Sequence, residues 1–429
     1  SRVSALMVTS RTSAQRVNPE LSVPEIGRQL GVAKLLEGSV LVDGDRVRVI
    51  VQLIDSATDL HLWAETYERN LADIISLQNE IARTISEVIA VRLTTREATI
   101  LAQSNPVDPV TYRAYLKGMY QLYQDTPEGN LRGVEMLEEV VRHDPASALA
   151  HAGLAYGYAN IGHDPPFPAE SYLKAKASAD RALQLDPDLA EAHLAEGMYR
   201  LLYEWDFDSA ERSLKHAIQL NPSLALAHYD LAWLYELLGP EREKEALTAG
   251  ERAKALSPLK PFFVGGLAWQ YADACRYEDA MRLAREAIRL DPEHYAGWAA
   301  LGLIHTELGQ FDEAIAAHRQ LEGSAWFWWI GMTYASIGLE EKAREITEAL
   351  EEFADQPGTA MVLSWIFMNL DEIETALRWI AETEKARTPW YPWLLGMFHG
   401  SELMADDPRY QARAVALGLP DPRKMGCCL

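Results

Sequence analysis

From about residue 111 onward, apolar positions recur at helical spacing, and every second run closes in the same way. Arg142-His143-Asp144-Pro145, Gln184-Leu185-Asp186-Pro187, Gln219-Leu220-Asn221-Pro222, Ala255-Leu256-Ser257-Pro258 and Arg289-Leu290-Asp291-Pro292 each end an amphipathic stretch on a short polar residue and a proline. The prolines are 42, 35, 36 and 34 residues apart. Proline cannot continue a helix, because it lacks the N–H and its ring meets the preceding turn. A period of about 34 residues predicts a stack of helix-turn-helix units. Such stacks are usually binding surfaces rather than reaction vessels.

The first hundred residues follow a different pattern. Ala5–Ser10 suits a strand, and Ser22 caps a short helix through Gly27 and Leu30 that Gly31 stops. Lys34–Val42 and Arg46–Asp55 alternate apolar and polar residues around Asp43-Gly44, a strong hairpin signal. Leu60–Tyr67 reads as a third strand. From Asn70 or Asp73, the helical spacing of Ile74, Leu77, Ile81, Ile85, Val88 and Leu93 predicts a long helix. The expected organisation is a small α+β domain with an antiparallel sheet over 1–100 and a linker over 101–110. About eight helical hairpins over 111–400 and a capping helix and tail over 401–429 complete it.

Charge narrows the partners. The chain carries a formal charge of −23 over 429 residues. Residues 1–100 hold 11 Lys/Arg against 13 Asp/Glu, so nearly all the excess lies in the repeats. An acidic array is a poor surface for phosphates or anionic lipid, and it leaves basic or apolar protein partners. No apolar run is long enough to span a membrane. The chain starts at Ser1 without a leader and reads as a truncated piece, a soluble segment placed in the cytoplasm rather than the periplasm and compatible with a tether ahead of Ser1. Of three cysteines, Cys275 falls in a predicted helix as a small buried apolar residue, and Cys427-Cys428 reads as an exposed tail.

Small residues recur where paired helices must cross. One unit reads Trp298, Leu301-Gly302, His305, Gly309, Ala314, His318, Leu321; others give Leu267-Ala268, Tyr271, Ala280, Ala287 and Leu231-Ala232, Tyr235, Gly239, Ala246, Ala253. This order resembles the tetratricopeptide repeat over roughly residues 110–385, and implies a right-handed α-solenoid. In the front domain, Ile26-Gly27-Arg28-Gln29-Leu30-Gly31-Val32, Leu36-Glu37-Gly38-Ser39-Val40 and Leu62-Trp63-Ala64-Glu65-Thr66-Tyr67 resemble the bacterial TolB amino-terminal or FlgO-like module. That resemblance implies a module standing before tetratricopeptide repeats and behind a nucleotide cyclase, a serine/threonine kinase or a winged-helix domain. The family's first strand and helix are missing here.

No phosphate loop, dinucleotide fingerprint, zinc-protease motif or nucleophile elbow is present, so no catalytic, cofactor or metal site is assigned and the chain is read as non-enzymatic. The eleven histidines are scattered. One pattern points to binding. Tyr156, Met198, Trp233, Trp269, Leu303 and Met332 occupy equivalent positions on successive first helices, with Glu236, Asp273 and Glu307 three or four residues on. Together they predict a concave acidic groove that holds a protein or peptide, with aromatic anchors and carboxylates for basic residues. Packing between first helices explains the same stripe equally well. Trp326-Phe327-Trp328-Trp329 with Trp390 and Trp393 are too many aromatics to face inward from one helix, and predict an exposed patch for self-association. The expected role is an interaction scaffold, the sensory or docking part of a signalling protein. The alternatives are the regulatory region of a kinase or cyclase, or the effector region of a winged-helix regulator.

Overall fold

The computed structural model describes residues 3, 6–102, 108–124, 126–163, 167–354, 356–396 and 402–424. Cys427 and Cys428 lie outside the described residues. The front domain opens with α1 (Arg11–Gln15) and α2 (Val23–Leu30). Ser22 and Glu25 form a reciprocal capping box on α2, and Gly31 ends it at φ 65°. Strands β1 (Lys34–Asp43), β2 (Arg46–Asp55) and β3 (His61–Asn70) form an antiparallel sheet in that order. Val47, Val49 and Val51 of β2 pack with Tyr67, Leu71 and Leu77 beneath α3 (Ile74–Val88). The register places Leu36, Val40 and Val42 of β1 on this same face, where they remain exposed beyond the reach of α3. The helix stops at Val88, short of Leu93, and Ala90 takes φ 57°. A further helix, α4 (Thr95–Ala102), crosses into the expected linker.

Residues 6–10 form no strand. Their backbone groups bond the repeat array instead: Val8 N–H donates to Ser223 Oγ at 3.2 Å and Ser10 N–H to the Leu256 carbonyl at 2.7 Å. An alternating pattern needs a neighbouring edge to become a strand, and here the nearest partners are turns.

Eight antiparallel helix pairs follow among the described residues. They are α5/α6 (Pro109–Leu122, Pro127–His143), α7/α8 (Ala148–His163, Ala169–Leu185), α9/α10 (Ala190–Tyr199, Phe207–Leu220) and α11/α12 (Ala225–Leu237, Glu243–Leu256). Then come α13/α14 (Pro261–Asp273, Tyr277–Leu290), α15/α16 (Tyr295–Glu307, Phe311–His318), α17/α18 (Trp329–Ser336, Glu340–Glu351) and α19/α20 (Pro357–Asn369, Ile373–Lys385). Short helices α21 (Tyr391–Gly396), α22 (Glu402–Asp406) and α23 (Pro408–Ala416) close the chain.

The recurring polar-Pro phrase has a physical cause. Asp144, Asp186, Asn221 and Asp291 each accept, through the side chain, the backbone N–H two residues on. This Asx turn holds the chain while proline presets φ. A ring nitrogen six residues beyond each proline then bonds the proline carbonyl: His151, His193 and His228 through Nε2 at 3.2, 2.9 and 3.1 Å, and Trp298 through Nε1 at 2.8 Å. Four aromatic side chains that look scattered in the sequence thus do one job. The turn at Ser257-Pro258 lacks an Asx residue, and Ser13 Oγ of α1 accepts the Leu259 N–H at 3.2 Å in its place. The front segment therefore completes a turn of the array.

Helix crossings are close where small residues were expected. A Cβ on Gly302 would stand 2.1 Å from Nε2 of His318, which fills the space that a side chain would take. Cys275 departs from expectation. The turn between α13 and α14 falls on it, so it lies exposed at φ 57°, outside any helix.

Candidate functional site

The first helices of successive hairpins touch one another directly: α7 with α9, α13 with α15, α17 with α19. Second helices mainly touch the first helices that flank them. The first helices therefore lie on the inner, tighter side of the coil, and their inward side chains decide what the concavity can do. Met198, Trp233, Leu303 and Met332 are 3, 6, 6 and 7% exposed, so the stripe is largely covered. Tyr156, Trp269, Glu236 and Asp273 are half-buried, and Glu307 is exposed.

Trp233, Trp269 and Met332 come together around one small cavity of about 50 Å³, with Trp329, Trp390 and Trp393 completing the wall. Trp233 lies 5.9 Å from Trp269, and Trp269 lies 4.8 Å from Trp329, both edge to face, within the range of favourable aromatic pairs. Tyr156, Met198, Leu303, Glu236, Asp273 and Glu307 do not line this cavity.

The predicted exposed aromatic patch is overturned. Trp328, Trp329 and Trp393 are 4, 5 and 3% exposed, and Trp326 and Trp390 are half-buried. These residues do not share one helix. The helix begins only at Trp329, so Trp326 and Trp328 sit in a turn and swing to the same side. Trp326 stacks on Tyr295 at 3.9 Å, and Trp328 stacks on Trp329 and Trp365 at 4.8 and 5.8 Å. Trp390 and Trp393 arrive from the far end of the chain and meet Trp233 at 5.5 and 6.0 Å.

Acid groups in an unusual state stand beside the stripe, outside the cavity lining. One turn past the tryptophans, the Glu236 carboxyl faces Asp273. Burial, followed by the neighbouring carboxyl, holds Glu236 well above the usual carboxylate range. The Gln270 side chain beside it acts in the opposite direction, by hydrogen bonding. On the helix that carries Glu236, burial pushes Asp230 up to about 8. At neutral pH Asp230 therefore keeps its proton in the folded chain. Among the described residues, no cluster of three or more His, Cys, Asp or Glu has the arrangement for a metal ion.

Sequence reasoning missed two features. Trp205, which ends a π-helical turn over Arg200–Glu204 at φ 61°, packs 4.8 Å from Tyr391. Trp365 belongs to the cavity wall. Neither falls on the stripe of equivalent positions, because the first comes from an irregular helix end and the second from the divergent last repeat.

The hairpin α15/α16 matches the family model described as Tetratricopeptide repeat, over residues 295–321. A curated protein of Rhizobium meliloti (strain 1021), provisionally named adenylate cyclase 3, is 36% identical over 156 residues. The match covers 36% of this chain and 27% of that protein, so the chain spans about a quarter of this relative's length. Among solved structures, PilW, a type IV pilus biogenesis factor, superposes with a TM-score of 0.40 at 17% identity, over 52% of this chain and 98% of its own. PilF of Pseudomonas aeruginosa gives 0.38 at 17% identity over 51 and 94%, respectively. YrrB, described as a TPR protein with an unusual peptide-binding site, gives 0.31 at 18% identity over 44 and 91%. No helix among the described residues is long and apolar enough to cross a membrane.

Proposed function

We propose that this tetratricopeptide-repeat chain is a non-catalytic docking region that takes a protein segment into its concave groove. The observation that carries this reading is the tryptophan-walled cavity with Glu236 and Asp273 one turn away. Large aromatic walls supply most of the binding energy at protein interfaces, and a buried acid pair supplies selection by charge. A peptide library panned against the intact chain tests the reading, with Trp269→Ala, at a half-buried position, as the counter-screen. Enriched peptides that lose binding to a folded Trp269→Ala chain support it. Enrichment that is identical on both proteins overturns it.

A second reading concerns the protein that this region serves. The relative bearing a cyclase name favours a signalling enzyme of that class, with this chain as its regulatory part. Reading the coding region ahead of Ser1 tests this directly. A cyclase core there supports it, and a kinase or winged-helix domain replaces it. The likeness of residues 1–100 to a TolB amino-terminal or FlgO-like module belongs to the same proposal, and rests on the residues quoted for it.

A further inference from the structure

The tryptophan-walled cavity is one-sided in its hydrogen bonding. Among the described residues that line it, none carries a charge or a carboxamide. Gly265, Gly266 and Ala296 lie within α13 and α15, where helix bonds engage the carbonyls. Donors are in excess. The indole N–H of Trp233 meets the Tyr229 hydroxyl. Those of Trp269, Trp329, Trp390 and Trp393 are shielded from solvent and find no acceptor among the described residues. Permanent protein cores pair nearly all their buried donors and acceptors, so four unpaired donors around one cavity call for an explanation.

Size and shape narrow what can enter. The cavity measures about 50 Å³, whereas a benzene-sized guest takes about 150 Å³. It has room for about two carbon-sized groups, and an aromatic side chain is too large for it. Half-buried rings bring the wall to the surface. Tyr295 stacks on Trp326 at 3.9 Å with planes 11° apart, and Trp365 stacks on Trp328 at 5.8 Å and 15°. Trp269 and Trp390, also half-buried, both meet Trp233, at 5.9 and 5.5 Å.

We propose that this wall takes a proline-rich stretch of a partner protein in the polyproline II conformation, with carbonyl oxygens accepting from the Trp269 and Trp390 indoles and one pyrrolidine edge in the cavity. This rests on the docking reading above and names the chemistry of the partner. Polyproline II leaves every carbonyl free of internal bonds, and proline brings no N–H of its own. An ordinary residue in the same place brings an N–H to a wall with no free carbonyl or carboxylate, and that donor goes unpaired at a cost. The conformation is preformed, so little ordering opposes binding, and aromatic-lined grooves suit its flat rings. One turn, about 9 Å long, is enough to touch both Trp269 and Trp390. Charged residues of the partner fall outside this wall, because no counter-charge lines it. Helix α21 keeps its place as the carrier of Trp393.

The test uses the full chain and two fluorescein-labelled peptides, decaproline and a decapeptide of alternating Ala and Gln. By fluorescence anisotropy, decaproline should bind at least about tenfold more tightly than the control peptide. Trp269→Phe and Trp390→Phe each keep a ring and remove the donor, and each should weaken decaproline about fivefold. Trp379→Phe removes an indole N–H that also lacks an acceptor but lies outside the cavity lining, and should leave binding unchanged. No binding of decaproline to wild type, equal binding of the two peptides, or equal decaproline affinity in wild type and both wall variants overturns the inference. Should a wall variant fail to fold, magnetic resonance on wild type carrying isotope-labelled tryptophan decides. Decaproline should move the indole signals of Trp269 and Trp390 and leave that of Trp379 in place. Indole signals that all stay where they were end the proposal. Library peptides that lose binding to Trp269→Ala, yet carry no proline, would sink the proline assignment and leave the docking reading standing.

Discussion

His318 offers the sharpest test of how the repeats are held together. It is 2% exposed. Its Nε2–H donates to the Ala299 carbonyl at 3.2 Å, and Nδ1 accepts from the Thr333 hydroxyl at 2.6 Å. Gly302 leaves room for the ring on one side and Trp329 covers it at 5.7 Å on another. Burial therefore favours the neutral ring and pulls its pKa down to about 4, from an ordinary 6.5. The unfolded chain takes up the proton first as pH falls. The stability that this residue contributes is thus complete above 6.5 and is lost as pH drops towards 4. One proton taken up by the unfolded chain alone costs about 1.36 kcal/mol for each pH unit, and the loss between pH 7.5 and 5.0 works out near 2 kcal/mol. His318→Gln keeps polar atoms in the site and removes the titration. Urea unfolding of both proteins, followed by far-UV circular dichroism at the two pH values, isolates the effect because every other group titrates alike in both. Wild type should lose about 2 kcal/mol more than the variant on acidification. Stability profiles that run parallel within about 0.5 kcal/mol would refute the argument, since a ring hydrated in the folded state has no reason to resist protonation.

Asp230 should behave with the opposite sign. Its pKa is raised from 3.8 to about 8 by burial, so its stabilising effect is present at low pH and lost as pH rises towards 8. The advantage of Asp230→Asn over wild type in thermal or urea unfolding should grow by roughly 2–3 kcal/mol between pH 5 and 7. Gly302→Ala drives a methyl to within 2.1 Å of the His318 ring. It should cost about 2 kcal/mol with the urea m-value unchanged. Ser13→Ala removes the acceptor for the Leu259 N–H, and should cost about 1 kcal/mol and speed exchange of that amide. Adding Ser257→Asn should recover most of the loss, because an Asx residue at the same place caps its own turn after Asp186, Asn221 and Asp291.

The parts that were legible in the sequence are those whose cause is local. Pro187 ends a helix wherever it stands, Asp186 turns the chain within two residues, and Asp43-Gly44 closes a hairpin between strands that are neighbours in sequence. The stripe from Tyr156 to Met332 was legible as a stripe, because equivalent positions of a repeat must share a face. What covers that stripe was not. Trp390 reaches Trp233 only because the steps from the fourth hairpin to the eighth bring the end of the chain back over its middle, and no pair of neighbouring residues records their sum. The same holds for Ser13 at Leu259 and for Trp205 at Tyr391. The aromatic patch failed for a related reason. Its logic assumed one helix through Trp326–Trp329, and a single turn before Trp329 sends side chains of different backbone geometry to one side. A repeat array thus separates two kinds of information. Residues that build each unit carry their explanation within about forty positions, whereas Trp390 and Trp393, which pack across the coil, have no local role that would account for them. In such a fold, large aromatics that the repeat pattern leaves unexplained are the ones to examine first when the question is what the inner face holds.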